Sequence, residues 1–419
     1  MSHLAINGGS KTVNRPLGRP WPIYGDLERQ YLMEVLDSGK WWRGGYSEAE
    51  AARSKVVQFE QAFAAYQDAQ YGIAVTNGTQ ALECALKALG IKPGDEVIVP
   101  AVTFVASATA VILVNAIPVI VDIDPATYQI SPAAIEAAIT PRTAGIMPVH
   151  YAGYPCDMDA INAIAQKHGL FVLEDCAHAH GTIYQGKKLG ARGDMGSFSL
   201  QMGKTLTCGE GGIILTNNED LAKKAFSFHH IGRMPGRPFY EFHLVASNLR
   251  MTEWQGAIAL AQFSRFDEQA VARDSNARHF EDGLRGIPGV APIERVPGLE
   301  RWNFYFYHWR FLKDAWPEGV TRDKFMEALS AEGVPCHLGH LHPIYQNPLF
   351  LERNFGPVAW PQGIEPPDYS KVHCPECERI FQEEGVSMSH SIFLGGREDM
   401  DLMLEAIHKI REHSEELIG

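Results

Sequence analysis

The sequence predicts an α/β protein, with a large, mostly parallel mixed-sheet domain followed by a smaller C-terminal α+β domain. Three observations predict it. Seven short apolar runs of β type fall between positions 71 and 216, helical patterns separate them, and β-type segments return only after a long helical stretch beginning near position 252. Apolar runs without strict alternation suit strands covered on both faces, and their rhythm with helices suits crossovers on both sides of one sheet.

In chain order, residues 1–60 read as an arm. It has a Gly/Pro-rich start, a helix over Asp26–Leu36 and the aromatic, basic stretch Trp41-Trp42-Arg43-Gly44-Gly45. The large domain spans 61–273, with strands at Tyr71–Val75, Glu96–Val99, Pro118–Asp122, Gly145–Val149, Phe171–Leu173, Gly196–Leu200 and Gly212–Thr216. Helices fall between them at Gln80–Leu89, Pro132–Ala138 and Asp157–His168, and a longer one runs from Thr252 to about Leu284. The small domain, 274–419, takes β-type segments at Tyr305–Leu312 and Val334–Leu338 and helices at Arg322–Ala331 and Arg397–His413.

Composition narrows the function. A chain of 419 residues that is 45% hydrophobic and 21% charged buries a sizeable core, which excludes disorder. With 37 basic and 50 acidic residues the net charge is −13, against a generic nucleic-acid or anionic-membrane binder. No apolar run approaches the ~18 residues of a membrane span, and the opening stretch has no apolar signal core. Seven cysteines, an odd number scattered over the chain, argue against a secreted disulfide framework. A cytoplasmic enzyme is expected.

Three strand-end features fit one cofactor. In Val75-Thr76-Asn77-Gly78-Thr79-Gln80 a strand stops and a helix begins. Gly78 and Thr79 would offer free N–H groups to a phosphate; taken alone, this is an ordinary turn with Thr as N-cap. In Phe171-Val172-Leu173-Glu174-Asp175 an apolar strand runs into an acidic pair, which would keep a nearby ring nitrogen protonated or would merely cap a helix. Lys204 follows Gly196-Ser197-Phe198-Ser199-Leu200 and precedes Gly209-Glu210-Gly211-Gly212. A desolvated lysine there forms an imine, whereas a solvated one is only surface charge. Phosphate cradle, ring-nitrogen acid and imine-forming lysine, in that order, are what pyridoxal 5′-phosphate (PLP) requires.

With Gly94-Asp95-Glu96-Val97, Thr103-Phe104, Pro148-Val149-His150 and Asn248-Leu249-Arg250-Met251 added, the chain resembles fold-type I PLP enzymes. More closely, it resembles the DegT/StrS-type aminotransferases of sugar and cyclitol biosynthesis, which serve antibiotic and polysaccharide pathways. The resemblance implies transfer of an amino group from glutamine or glutamate to a keto sugar or a cyclitol (inosose-like) ketone. It implies that Lys204 carries PLP and shuttles the proton, and that Asp175 pairs with the ring nitrogen. Phe104 would stack on the ring, His178 would lie near its hydroxyl, and Gly78, Thr79 and Ser199 would hold the phosphate. Asn248 would reach that phosphate in the partner subunit, which makes a homodimer part of the site. The family's Asn-Tyr-Arg reads Asn248-Leu249-Arg250 here. Trp41, Trp42 and Arg43 match the family's substrate loop, and Arg233, Arg237 and Tyr240 are further substrate candidates or an ordinary solvated loop. No metal is implied.

Other readings compete. Relatives that act as sugar dehydratases carry His where Lys204 stands, and aminohydroxybenzoate synthases keep the lysine. In a different class, Cys336, His337, His340, His342, His373, Cys374 and Cys377 resemble a zinc-ligand set, with one Cys-x-x-Cys.

Overall fold

The computed structural model describes residues 3–418. Its centre is a seven-stranded sheet made of β1 (Tyr71–Val75), β2 (Glu96–Pro100), β3 (Ile117–Val121), β4 (Thr143–Ile146), β5 (Phe171–Asp175), β6 (Met195–Ser199) and β7 (Gly212–Thr216). The spatial order is β1-β7-β6-β5-β4-β2-β3. Pairings from β3 across to β6 are parallel, and β7 runs antiparallel to both β6 and β1. The sheet is therefore mixed and mostly parallel. Strands β2, β6 and β7 are buried at every position, which is why they read as apolar runs.

Five of the seven helices that follow start where a side chain satisfies their first N–H groups. α1 (Asp26–Ser38), α2 (Lys55–Tyr66), α3 (Gly78–Ala88), α4 (Ala106–Leu113), α5 (Pro132–Ala138), α6 (Met158–His168) and α7 (Glu219–His229) follow in order. Ser54, Asn77, Ser131, Asp157 and Asn218 are N-caps of α2, α3, α5, α6 and α7, each side chain accepting from an N–H two or three residues on.

One helix expectation is corrected here. The stretch from Thr252 to Leu284 forms two helices, α8 (Glu253–Phe263) and α9 (Phe266–Leu284). The chain turns at Ser264-Arg265 because the Arg265 guanidinium reaches Glu28 and the Ile23 carbonyl, while Phe266 buries against Tyr66. Position 274, taken as the start of the small domain, lies inside α9.

The small domain holds an antiparallel sheet of β8 (Val290–Pro292), β9 (Phe306–Phe311) and β10 (Gly385–Ser389), accompanied by α10 (Arg322–Ala331) and the helix Arg397–Glu412. Val334–Leu338 is not a strand, and only one bridge joins His337 to Ser387. Left-handed turns at Gly333 and Gly339, with φ of +97° and +59°, bound the segment too tightly for a ladder.

Candidate active site

The carboxyl ends of β1, β5 and β6 meet the start of α3 around a cavity of about 740 Å³. Ligand sites of open α/β sheets form in this position, because loops there splay away from the strand ends.

The cap of α3 is Asn77 and not Thr79, since Asn77 is the last residue with extended backbone. Its Oδ1 accepts from Gln80 N–H at 2.9 Å and its carbonyl from Ala81 N–H at 3.0 Å. Gly78 and Thr79 are thereby left with backbone N–H groups facing the cavity side of the helix start, where the dipole is positive. Gly78 lies against the end of β6, so close that a Cβ would stand 2.7 Å from Ser199 Cβ.

Successive side chains on a strand point to opposite faces, and β5 uses this to part its two acids. Glu174 accepts from the His150 ring at 2.9 Å and from the N–H groups of Gly190, Arg192 and Gly193. Asp175 faces the cavity instead. Its Oδ2 accepts from Ser107 Oγ at 2.7 Å and its Oδ1 from Ala177 N–H at 3.1 Å. Burial pushes the Asp175 carboxyl above its ordinary range, and the two donors and the Lys204 charge oppose that shift.

Lys204 stands in the turn after β6 and is 7% exposed. Its Nζ lies 4.1 Å from the centroid of the Tyr305 ring. Among the described residues no carboxylate forms an ion pair with it. Burial brings its amine down to about 7, with Asp175 pulling the other way. His178 is buried, and its Nδ1 accepts from Ala152 N–H at 3.2 Å. Burial and the Lys204 charge hold this imidazole well below its usual range, so it is neutral and its proton is on Nε2. Phe104 forms a wall beside His340, with ring centroids 5.2 Å apart, and stays 52% exposed despite being apolar.

The structure thus gathers Gly78, Thr79, Phe104, Asp175, His178, Ser199 and Lys204 around one cavity. Asn248 is exposed and lines no part of it in its own chain. Its segment runs beside the edge strand β1, where Arg250 bridges Val75 and the Leu249 carbonyl accepts from Thr76 N–H at 3.0 Å.

The substrate candidates also lie outside that cavity. Arg43 is held in an ion pair with buried Glu60 at 2.8 Å and stacks on Phe226, 5.1 Å from its centroid. Trp41 packs on Trp254, and Trp42 lies under the Arg250 guanidinium. Arg233 covers Phe239 and Phe242, while Arg237 and Tyr240 are exposed.

Sequence reasoning missed Ser107, Tyr305 and, as a cavity residue, His340. Ser107 had a local signal: it sits one helical turn after Thr103 and shares a hydroxyl contact with it at 2.7 Å. The C-terminal cysteines are not gathered into a ligand set. Among the described residues, none of Cys336, Cys374 or Cys377 belongs to a group of three ligand atoms within 4.8 Å. Cys374 is buried and its thiol is pushed up to about 12.

Comparison with known proteins adds four findings. The profile of the DegT/DnrJ/EryC1/StrS aminotransferase family matches residues 22–362. The L-glutamine:scyllo-inosose aminotransferase of Streptomyces griseus is 37% identical over 429 residues, covering 99% of each chain. The GDP-perosamine synthase of Caulobacter vibrioides is 38% identical over 360 residues, 84% of this chain and 93% of the relative. Among solved structures, 3-amino-5-hydroxybenzoic acid synthase superposes with a TM-score of 0.82 at 34% identity, over 96% of this chain and 99% of that one.

Proposed function

The chain belongs to the DegT/DnrJ/EryC1/StrS family of PLP-dependent aminotransferases, and from that premise we propose that it moves an amino group from glutamine or glutamate to a cyclitol ketone. The observation that carries the proposal is the pairing, in one cavity, of a buried amine held near neutrality and a buried carboxylate. The inosose-directed relative, matched along 99% of both chains, supports a cyclitol acceptor. The nucleotide-sugar relative keeps a keto sugar as the second choice.

The residues fit the cofactor. The unused N–H groups of Gly78 and Thr79 would hold a phosphate with Ser199 beside them, and the missing Cβ of Gly78 is what lets Ser199 close against the helix start. Asp175 would keep a ring nitrogen protonated, and that positive charge would favour the anionic carboxylate against the effect of burial. Phe104 would lie against the ring, and His178, in the same lining, would stand near its substituents. Bound there, PLP supplies an electron sink for a carbanion next to nitrogen. Lys204 supplies the imine-forming amine and then the base: with a pKa near 7 its Nζ both takes and returns a proton at neutral pH. Ser107 holds Asp175 in the anionic form and fixed orientation that this requires.

Asn248 of the partner subunit completes the phosphate contacts, and the aromatic and basic loops around Trp41, Trp42, Arg233, Arg237 and Tyr240 then close over the acceptor. In this assembly Arg43 anchors its loop through Glu60 rather than touching substrate. The cytoplasm is the proposed location; no helix among the described residues is long and apolar enough to cross a membrane.

The test separates the half-reactions. The PLP-loaded enzyme is incubated with single amino donors and followed by its spectrum, then the aminated form is given scyllo-inosose or a nucleotide-linked keto sugar. Conversion by glutamine and reoxidation by the inosose are expected. Turnover of the nucleotide sugar alone would move the protein to the second choice, and formation of an aromatic product would move it to the synthase class.

A further inference from the structure

The turn that carries Lys204 is held by both ends of the chain. Within the turn, Lys204 N–H returns to the Gln201 carbonyl at 2.9 Å, and Gly203 N–H meets Gln201 Oε1 at 2.8 Å. The carbonyls of the two residues before Lys204 point outward, and each is taken by a side chain far away in sequence. Trp21 Nε1–H donates to the Met202 carbonyl at 2.9 Å, and His390 Nε2 lies 3.1 Å from the Gly203 carbonyl. The two rings meet edge to face, with centroids 4.7 Å apart and planes at 87°.

Behind them sits Arg273, 0% exposed, its guanidinium 5.4 Å from the Trp21 ring centroid. Among the described residues it has no carboxylate partner. Its one hydrogen bond goes to Asn303 Oδ1 at 3.4 Å, and its Nε and Nη2 are buried without acceptors. Burial first, and then this cation, hold the His390 imidazole well below its usual range. A second positive charge beside a buried guanidinium is unfavourable, so the imidazole stays neutral. A carbonyl is its only partner, so the single proton is on Nε2, and Nδ1 is left buried and unpaired. The donor that holds Gly203 therefore persists across the working pH range.

We propose that Trp21 and His390 are positioning residues: a two-point clamp on the carbonyls of Met202 and Gly203, backed by Arg273, fixes where Lys204 Nζ sits and so fixes its proton affinity. Gly203 shows how narrow the space is, since a Cβ there would stand 2.9 Å from the Tyr305 hydroxyl and displace the ring that covers Nζ. If the clamp is released, the turn rocks away from Tyr305 and the amine reaches water, where it behaves as an ordinary lysine. The effect on turnover rests on the function proposed above, whereas the effect on the amine's titration does not.

The experiment uses the full-length protein and the variants Trp21→Phe, His390→Leu and His390→Gln. The first two delete an N–H donor, and the third keeps one. In cofactor-free protein, Lys204 is methylated with formaldehyde and cyanoborohydride across a pH series and followed by peptide mass. In the PLP-loaded enzyme, kcat and KM are measured. We expect the methylation midpoint, about 7 in the parent, to rise by roughly one pH unit or more in Trp21→Phe and His390→Leu, toward the ordinary lysine value. We expect kcat to fall about tenfold with KM for the donor little changed, because misplacing a reacting group costs rate rather than binding. His390→Gln should stay close to the parent in both. Trp21→Phe keeps a ring at a half-buried position, so it decides the matter even if His390→Leu does not fold. Parental midpoints in Trp21→Phe would overturn the clamp, as would a His390→Gln shift as large as that of His390→Leu. If no amino acceptor is found but the midpoints move, the clamp stands and the proposed function falls.

Discussion

The cavity and the arm loops differ in how far one chain satisfies them. Asp175 and Lys204 in the cavity, and Glu174 behind it, have their settings within the same subunit: Asp175 is held by Ser107 and Ala177, Glu174 by His150 and three N–H groups, and Lys204 is shielded by Tyr305. The segment from Arg233 to Arg250 is the opposite. Phe239, Tyr240, Phe242 and Val245 are exposed at 62%, 84%, 49% and 97%, and among the described residues Arg233 and Arg250 have no carboxylate partner. Apolar side chains clustered this openly on one loop mark a surface meant to be covered. The contrast separates a cavity whose acid and amine are set within one chain from a loop region that the same chain leaves open.

The largest expected effect falls on the self-contained half. Lys204→Ala should abolish turnover and the imine absorption band together. A variant keeping both would mean that another lysine takes the cofactor and that the cavity has been misjudged. The next tests the half left open. Mixing inactive Lys204→Ala and Asn248→Ala chains leaves half the dimers mixed, each with one intact site, so about a quarter of parental activity should return. No return at all would make each chain's site complete and break the comparison. The smallest sharpens the line between the two regions at Arg43. Removing it by Arg43→Met leaves Glu60 buried without its cation, which should cost about 3 kcal/mol of stability in a denaturant melt. An unchanged melting point with a raised KM for the acceptor would instead place Arg43 in the substrate site.

How much was legible in advance follows from where each signal lies along the chain. The seven strands of the large sheet were readable because burial on both faces leaves mostly apolar residues, as at Val97, Ile98 and Val99 of β2. Gly385–Ser389 was not, since its Val386 and Met388 alternate with glycine and serine and resemble a loop. Val334–Leu338 misled in the other direction, apolar enough for a strand but pinned between two glycine turns. In the candidate site, Asp175 and Lys204 announce themselves as an acid and an amine at strand ends. Ser107 meets Asp175 across 68 residues and Tyr305 meets Lys204 from another domain, so only the fold brings them together. Arg43 looked free in the sequence because its partner, Glu60, is 17 residues away on α2.

The chain beside β1 has a duty apart from the role proposed for Asn248. β1 is the last strand of the sheet, and its outer rim is stopped by Glu60 at Ala74, by Leu249 at Thr76 and by the Arg250 bridge at Val75. An uncovered rim of this kind invites strands from neighbouring molecules to add on. Changes that peel this segment away should therefore cost solubility as well as catalysis, and lost activity would come with visible precipitation.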